Sequence, residues 1–132
     1  MKILLSIVQV MLAVAFLAHG VMMINPPGSV AVQMNAMLPR WFQLFLGVAE
    51  VAAAIGITVP GLTRIQPRLV PMAALGIVVV MICATVLHAS RGEYSAAATT
   101  SALLAMSAFV FWQRWRVHPI VAKNAPVSNE LT

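Results

Sequence analysis

Residues 42–59 read FQLFLGVAEVAAAIGITV, and the fold turns on them. A bilayer's hydrocarbon core takes about 20 residues of helix, and this run comes close to that length with one ionisable residue, Glu50, near its middle. At helical spacing from Glu50 stand Gly47, Ala53 and Ala54, small residues that let another helix approach closely. An acid exposed to lipid costs about 2.5–3.5 kcal/mol even on lenient insertion scales. Glu50 is therefore expected to face inward, and an inward face needs other helices to make an interior.

Three further runs supply them. The first, about residues 3–24, stops at Asn25-Pro26-Pro27-Gly28; the run above is the second and stops at Pro60-Gly61. The third covers about 70–89, with Pro67 and Pro71 near its start, where proline is tolerated, and the fourth about 95–112. The first run begins after Lys2 and contains Ala13-Val14-Ala15, as a signal peptide would. Its length exceeds the 7–15 residues of a usual signal core, so it reads as a retained span. The whole chain agrees: of 132 residues 61% are hydrophobic and 8% charged, with a mean hydropathy of +0.95. Soluble domains run near 45–50% apolar and about 25% charged, so a dissolved globule and a disordered chain are both excluded. The expectation is an all-α, integral membrane four-helix bundle forming one domain over residues 1–116, followed by a disordered cytoplasmic tail at 117–132.

The net charge of +5 does not point to nucleic acid, because the charges lie at the ends of the spans, where anionic headgroups are nearer. Lys2, Arg64, Arg68, Arg114, Arg116 and Lys123 fall on one side, Arg40 and Arg91 on the other. Six against two in short segments places the first group, and both termini, in the cytoplasm. Trp41 and Tyr94 mark the outer boundary, Trp112 and Trp115 the inner one. Val30, Met34, Met37 and Leu38 share a helical face, which suits either a short helix in the outer interface or a packed loop. The lone Cys83 forms no internal disulfide and is expected to pack as a small hydrophobe. Ala97, Ser101, Ala105 and Ala108, with Thr100 and Ser107 close by, form a helix-packing surface on the fourth span. The methionines at 22, 23, 34 and 37 read as flexible filler. His118, in the tail, has no inferable role.

Three ionisable residues lie within spans. At 1.5 Å per residue, His19 is roughly 7 Å below the outer boundary, Glu50 roughly 12 Å, and His88 nearest the surface. Together they could line a graded polar path from the outer face toward the midplane. The plainer alternatives are a protonated Glu50 bonded to a neighbouring helix, a packed His19, and His88 as a boundary residue beside Arg91. No local spacing among the three supports a metal, and their differing depths argue against haem.

A set of segments in fixed order adds to this: Phe16-Leu17-Ala18-His19-Gly20, Leu46-Gly47-Val48-Ala49-Glu50, Val59-Pro60-Gly61-Leu62-Thr63, Pro71-Met72-Ala73-Ala74-Leu75-Gly76 and Leu87-His88-Ala89-Ser90-Arg91-Gly92-Glu93. In order and spacing, over about residues 12–116, they resemble the DoxX-like family of small four-helix membrane proteins. The resemblance implies an acidic site residue at Glu50 and a histidine before the arginine-glycine turn at His88. Members often carry a lysine shortly after the first-helix glycine; Met22, Met23 and Ile24 stand there in this chain, so no lysine is at hand to pair with Glu50. Some relatives are subunits of a thiosulfate:quinone oxidoreductase, others join membrane assemblies that handle thiols and oxidative stress, and distant eukaryotic ones act as membrane chaperones.

The leading expectation is an accessory subunit of a membrane redox complex, quinone- or thiol-linked, in a bacterial plasma (inner) membrane. Glu50 and His19 would handle protons or bond a quinone carbonyl there. The chain would not be an enzyme on its own, since it shows no cofactor motif and one cysteine cannot run thiol–disulfide exchange. A scaffold or chaperone for other membrane proteins is the alternative, and a proton-coupled small-molecule transporter the third. The expected partners are the lipid bilayer and either another membrane protein or further copies of the chain.

Overall fold

In lipid every backbone polar group must find its partner within the segment, so runs this apolar have the helix as their available form. A computed structural model describes residues 1–124. It contains α1 (Lys2–Ile24), α2 (Gly28–Met37), α3 (Arg40–Thr63), α4 (Leu69–Ser90) and α5 (Tyr94–Trp112). A π-helical turn, Gln113–Val117, extends α5. The four long helices are each long and apolar enough to cross a membrane. α1 packs along α3 and α4 along α5, α3 lies beside α4, and α1 meets α5 more lightly, which closes the ring. The protein is an integral membrane four-helix bundle.

The bundle is apolar outside and carries its polar side chains within. Val14, Val48, Val79 and Val86 are exposed, as lipid requires, while Gln9, Gln43, Glu50 and Ser107 are buried. Leu5 and Leu12 from α1, Ile57 from α3, Val70 and Ile77 from α4 and Val110 from α5 meet in the core. Nε and one Nη of Arg114 donate to Gln9 Oε1 (3.0 and 2.9 Å), and the Lys123 amide donates to the Arg64 carbonyl. These bonds gather the start of α1, the α3–α4 connection and the chain beyond α5 at one end. All six residues of the larger basic group belong to that end. At the other, Arg40 donates to the Met23 and Ile24 carbonyls and so satisfies two of the carbonyls that any helix C-terminus leaves open.

The expected boundaries hold to within a residue or two, except in the second span. α3 runs through Pro60 to Thr63 and ends at Arg64, in the left-handed region at φ 57°. Proline at 60 removes one donor but keeps a helical φ, so so near the helix end it does not stop the chain. The segment at 28–37 takes the helical option, with Val30, Met34 and Leu38 half-buried and Met37 exposed. Cys83 lies on the outward face of α4 rather than in the core. On α5, Ala97 and Ser107 are buried and Thr100 half-buried, but Ser101, Ala105 and Ala108 face outward. Of the tail expected to be disordered, Ile120 packs against the core, and residues 125–132 lie outside the described residues.

Candidate functional site

The site starts from two glycines. A Cβ placed on Gly20 would lie 2.8 Å from the Gly47 carbonyl oxygen, and one on Gly47 would lie 2.8 Å from that of Gly20. Only hydrogen fits at both positions, and α1 and α3 touch backbone to backbone there. That contact fixes the rotation of one helix on the other. His19 immediately precedes Gly20, and Glu50 follows Gly47 by one helical turn.

Their side chains meet across the seam. His19 Nδ1 lies 2.6 Å from Glu50 Oε2, so one proton is held between them: the imidazole donates to a carboxylate, or a carboxylic acid donates to the imidazole. The two partners differ sharply in exposure, the His19 side chain at 46% and that of Glu50 at 5%. His19 Nε2 has no hydrogen-bond partner among the described residues.

Glu50 also borders a crevice of about 370 Å³ between α3 and α4, with Phe16 of α1 contributing to its lining. Ala49, Ala53 and Gly56 on one side and Ala73, Gly76 and Val80 on the other make walls of small and apolar residues, and Glu50 is the one ionisable lining residue. A Cβ on Gly76 would meet nothing within 4 Å, while one on Gly56 would come to 3.0 Å from the Ala73 Cβ; the crevice is open at Gly76 and narrow at Gly56. Pro60 has no N–H to donate to the Gly56 carbonyl, which leaves a lining residue's acceptor without its i+4 donor.

Of the three residues singled out from the sequence, the structure brings two together. His88 bonds instead to Glu93 (Nδ1 to Oε2, 2.5 Å), across the turn between α4 and α5, and makes no hydrogen bond to His19 or Glu50. The contact from the first helix to Glu50 comes from His19. Sequence reasoning missed the buried glutamines. Gln9 bridges the Ile57 carbonyl and Arg114, and Gln43 donates to Asn35 Oδ1 and to the Leu38 carbonyl, fastening the α2 segment to α3. The available signal was a lone amide within each apolar run.

A family model described as DoxX-like matches residues 7–110. The chain belongs to the DoxX-like family. The match reaches from the second turn of α1 almost to the end of α5 and includes His19, Glu50 and His88. No curated protein and no solved structure matches this DoxX-like protein.

Proposed function

We propose that this DoxX-like protein is an accessory subunit of a membrane redox assembly that binds a quinone headgroup in the α3–α4 crevice. The observation that carries the reading is a membrane-embedded cleft with apolar walls and a single carboxyl, Glu50, at its edge. Ligand sites are typically about 300–1,000 Å³, mostly apolar, with few polar groups that fix orientation. The crevice falls in that range, and a quinone is a flat apolar ring with oxygens at two opposed positions. When bound, a quinone supplies two-electron, two-proton chemistry, with the electrons arriving from a partner subunit. The residues of this chain would orient the ring between Gly76 and Ala53, bond one oxygen through Glu50, and hold a proton on the pair with His19. The six-to-two distribution of basic residues supports a bacterial inner membrane setting with both termini cytoplasmic.

The test is photolabelling of the full chain in bilayer discs with a short-chain azidoquinone. Label should map to α3 and α4, fall in Glu50→Gln, and vanish in Gly76→Leu, whose side chain enters open space. Labelling indifferent to both substitutions would sink the reading. A scaffold role is favoured by one observation, the outward Ser101, Ala105 and Ala108 of α5, since small residues serve helix–helix docking. A partner retained through gentle extraction in Glu50→Gln, together with absent quinone labelling, would move the assignment there.

A further inference from the structure

A carboxyl 5% exposed that serves a ligand inside a membrane must exchange its proton with water by some route, and the bundle offers unequal routes to its two ends. Toward the end that carries the six basic residues, Ala54 and Ile57 of α3 are buried in the core, and the crevice that reaches Leu69 at that end offers no ionisable side chain beyond Glu50 itself. Toward the opposite end stands His19, half-exposed and bonded to Glu50 through one ring nitrogen, with its other nitrogen unpartnered among the described residues. The end of α1 at Ile24 is five residues beyond His19, about 7 Å at the helical rise. α2, which follows, contributes no buried residue. We propose that His19 is the relay through which Glu50 exchanges its proton with the aqueous phase at the end opposite the basic cluster.

The relay balances without a co-reactant. A proton from water binds Nε2, the Nδ1 proton passes to Glu50 Oε2, and the neutral imidazole ends as the other tautomer beside a carboxylic acid. The ionisable groups around the pair are few. Arg40 of α3 holds the Met23 and Ile24 carbonyls, and Met23 is one turn beyond His19 on the same face of α1. α4 brings no ionisable side chain to the crevice. His19 is thus a positioning and proton-transfer residue for Glu50, one step removed from the ligand. The inference rests on the quinone reading only for the use made of the proton.

The experiment uses the full chain in sealed liposomes, with orientation sorted by protease access to the C-terminal tail. The infrared carbonyl band of protonated Glu50, identified by its loss in Glu50→Gln, is followed after a pH jump on one side of the membrane. The band should respond on the His19 side on the order of 100-fold faster than on the basic side, the scale of one positioned proton-transfer group. His19→Gln should slow the fast response to the slow one while azidoquinone labelling persists. Equal rates from the two sides, no response from either, or an undiminished rate in His19→Gln would each overturn the relay. One-sided exchange without quinone labelling would uphold the relay and defeat the quinone reading, so the two failures are distinguishable.

Discussion

The α1–α3 and α4–α5 pairs occupy equivalent places in the ring and are built in opposite ways. α1 and α3 meet through two glycines whose carbonyls exclude any Cβ, and the space saved is used for a histidine–carboxyl contact. α4 and α5 meet through ordinary side chains and one hydroxyl bond, Thr85 to Thr100 at 2.9 Å. Their own histidine–carboxyl pair, His88–Glu93, sits in the turn, where both partners are only partly buried. Thr100 can also return its hydroxyl to the Ala96 and Ala97 carbonyls of its own helix, whereas Glu50 needs a partner from another helix. Lipid tails are as apolar as leucine, so helices gain little from hiding apolar surface from them and hold together by close packing. The lesson is that a buried acid is placed on the seam whose backbones are locked most tightly.

The contrast breaks most visibly at the glycine contact. Gly47→Val forces a branched side chain against the Gly20 carbonyl, and helix backbones cannot yield as side-chain ends do. The expected loss is about 3 kcal/mol, the upper range for overpacked interiors, read as a drop in the unfolding midpoint in mixed micelles. The infrared signature of the His19–Glu50 contact should disappear with it. Wild-type melting in Gly47→Val would show that the seam is not locked by that contact. A smaller effect is expected at Gly92, in the turn of the other pair, where φ is +73°. Gly92→Ala should cost about 1–2 kcal/mol, the penalty of the left-handed conformation for a residue with a Cβ, and should leave the quinone labelling unchanged.

How much of this the sequence disclosed follows the same division. The four spans were legible because length and composition alone decide what crosses a bilayer, and one proline near the end of α3 shifted a boundary without altering the fold. Glu50 was legible as the acid that lipid would not tolerate. Its partner was not. Depth along each helix put His19 and Glu50 about 5 Å apart in height, but which way each side chain turns depends on the rotation of α1 against α3. That rotation is set by Gly20 meeting Gly47, two residues far apart in the chain; Gly47 reads as a close-approach residue beside Glu50, but nothing in the sequence pairs it with Gly20. The partner of His88 was hidden for a similar reason, since it lies five residues on, around a turn whose geometry needs a positive φ at Gly92. Gln9 and Gln43 could be seen as isolated amides, but not the carbonyls they reach.

Within α4–α5 the hydroxyl bond offers a finer measure. Thr85→Val keeps shape and removes the donor, and Thr100 still has its own helix's carbonyls to bond. Polar contacts between membrane helices average about 0.6 kcal/mol, and the midpoint should fall by that much or less. A fall comparable to that of Gly47→Val would erase the difference between the seams and make α4–α5 depend on polar contact as well.

The smallest stability change is expected where the chemistry is most concentrated. Glu50→Leu replaces a buried acid by an apolar side chain of similar size, and such exchanges of buried ionic groups are often neutral or stabilising because the desolvation penalty goes with them. The partner left behind is His19, whose side chain is 46% exposed and which can stay neutral, so no stranded buried charge offsets the gain. The glycine contact beneath it is untouched. The unfolding midpoint of Glu50→Leu should therefore equal or exceed that of the parent while azidoquinone labelling is lost. If the variant instead melts several degrees lower, the histidine–carboxyl contact is itself a clamp on α1–α3. The seam would then be held by the polar pair as well as by its glycines, and the burial of Glu50 would no longer argue for a role in ligand or proton handling.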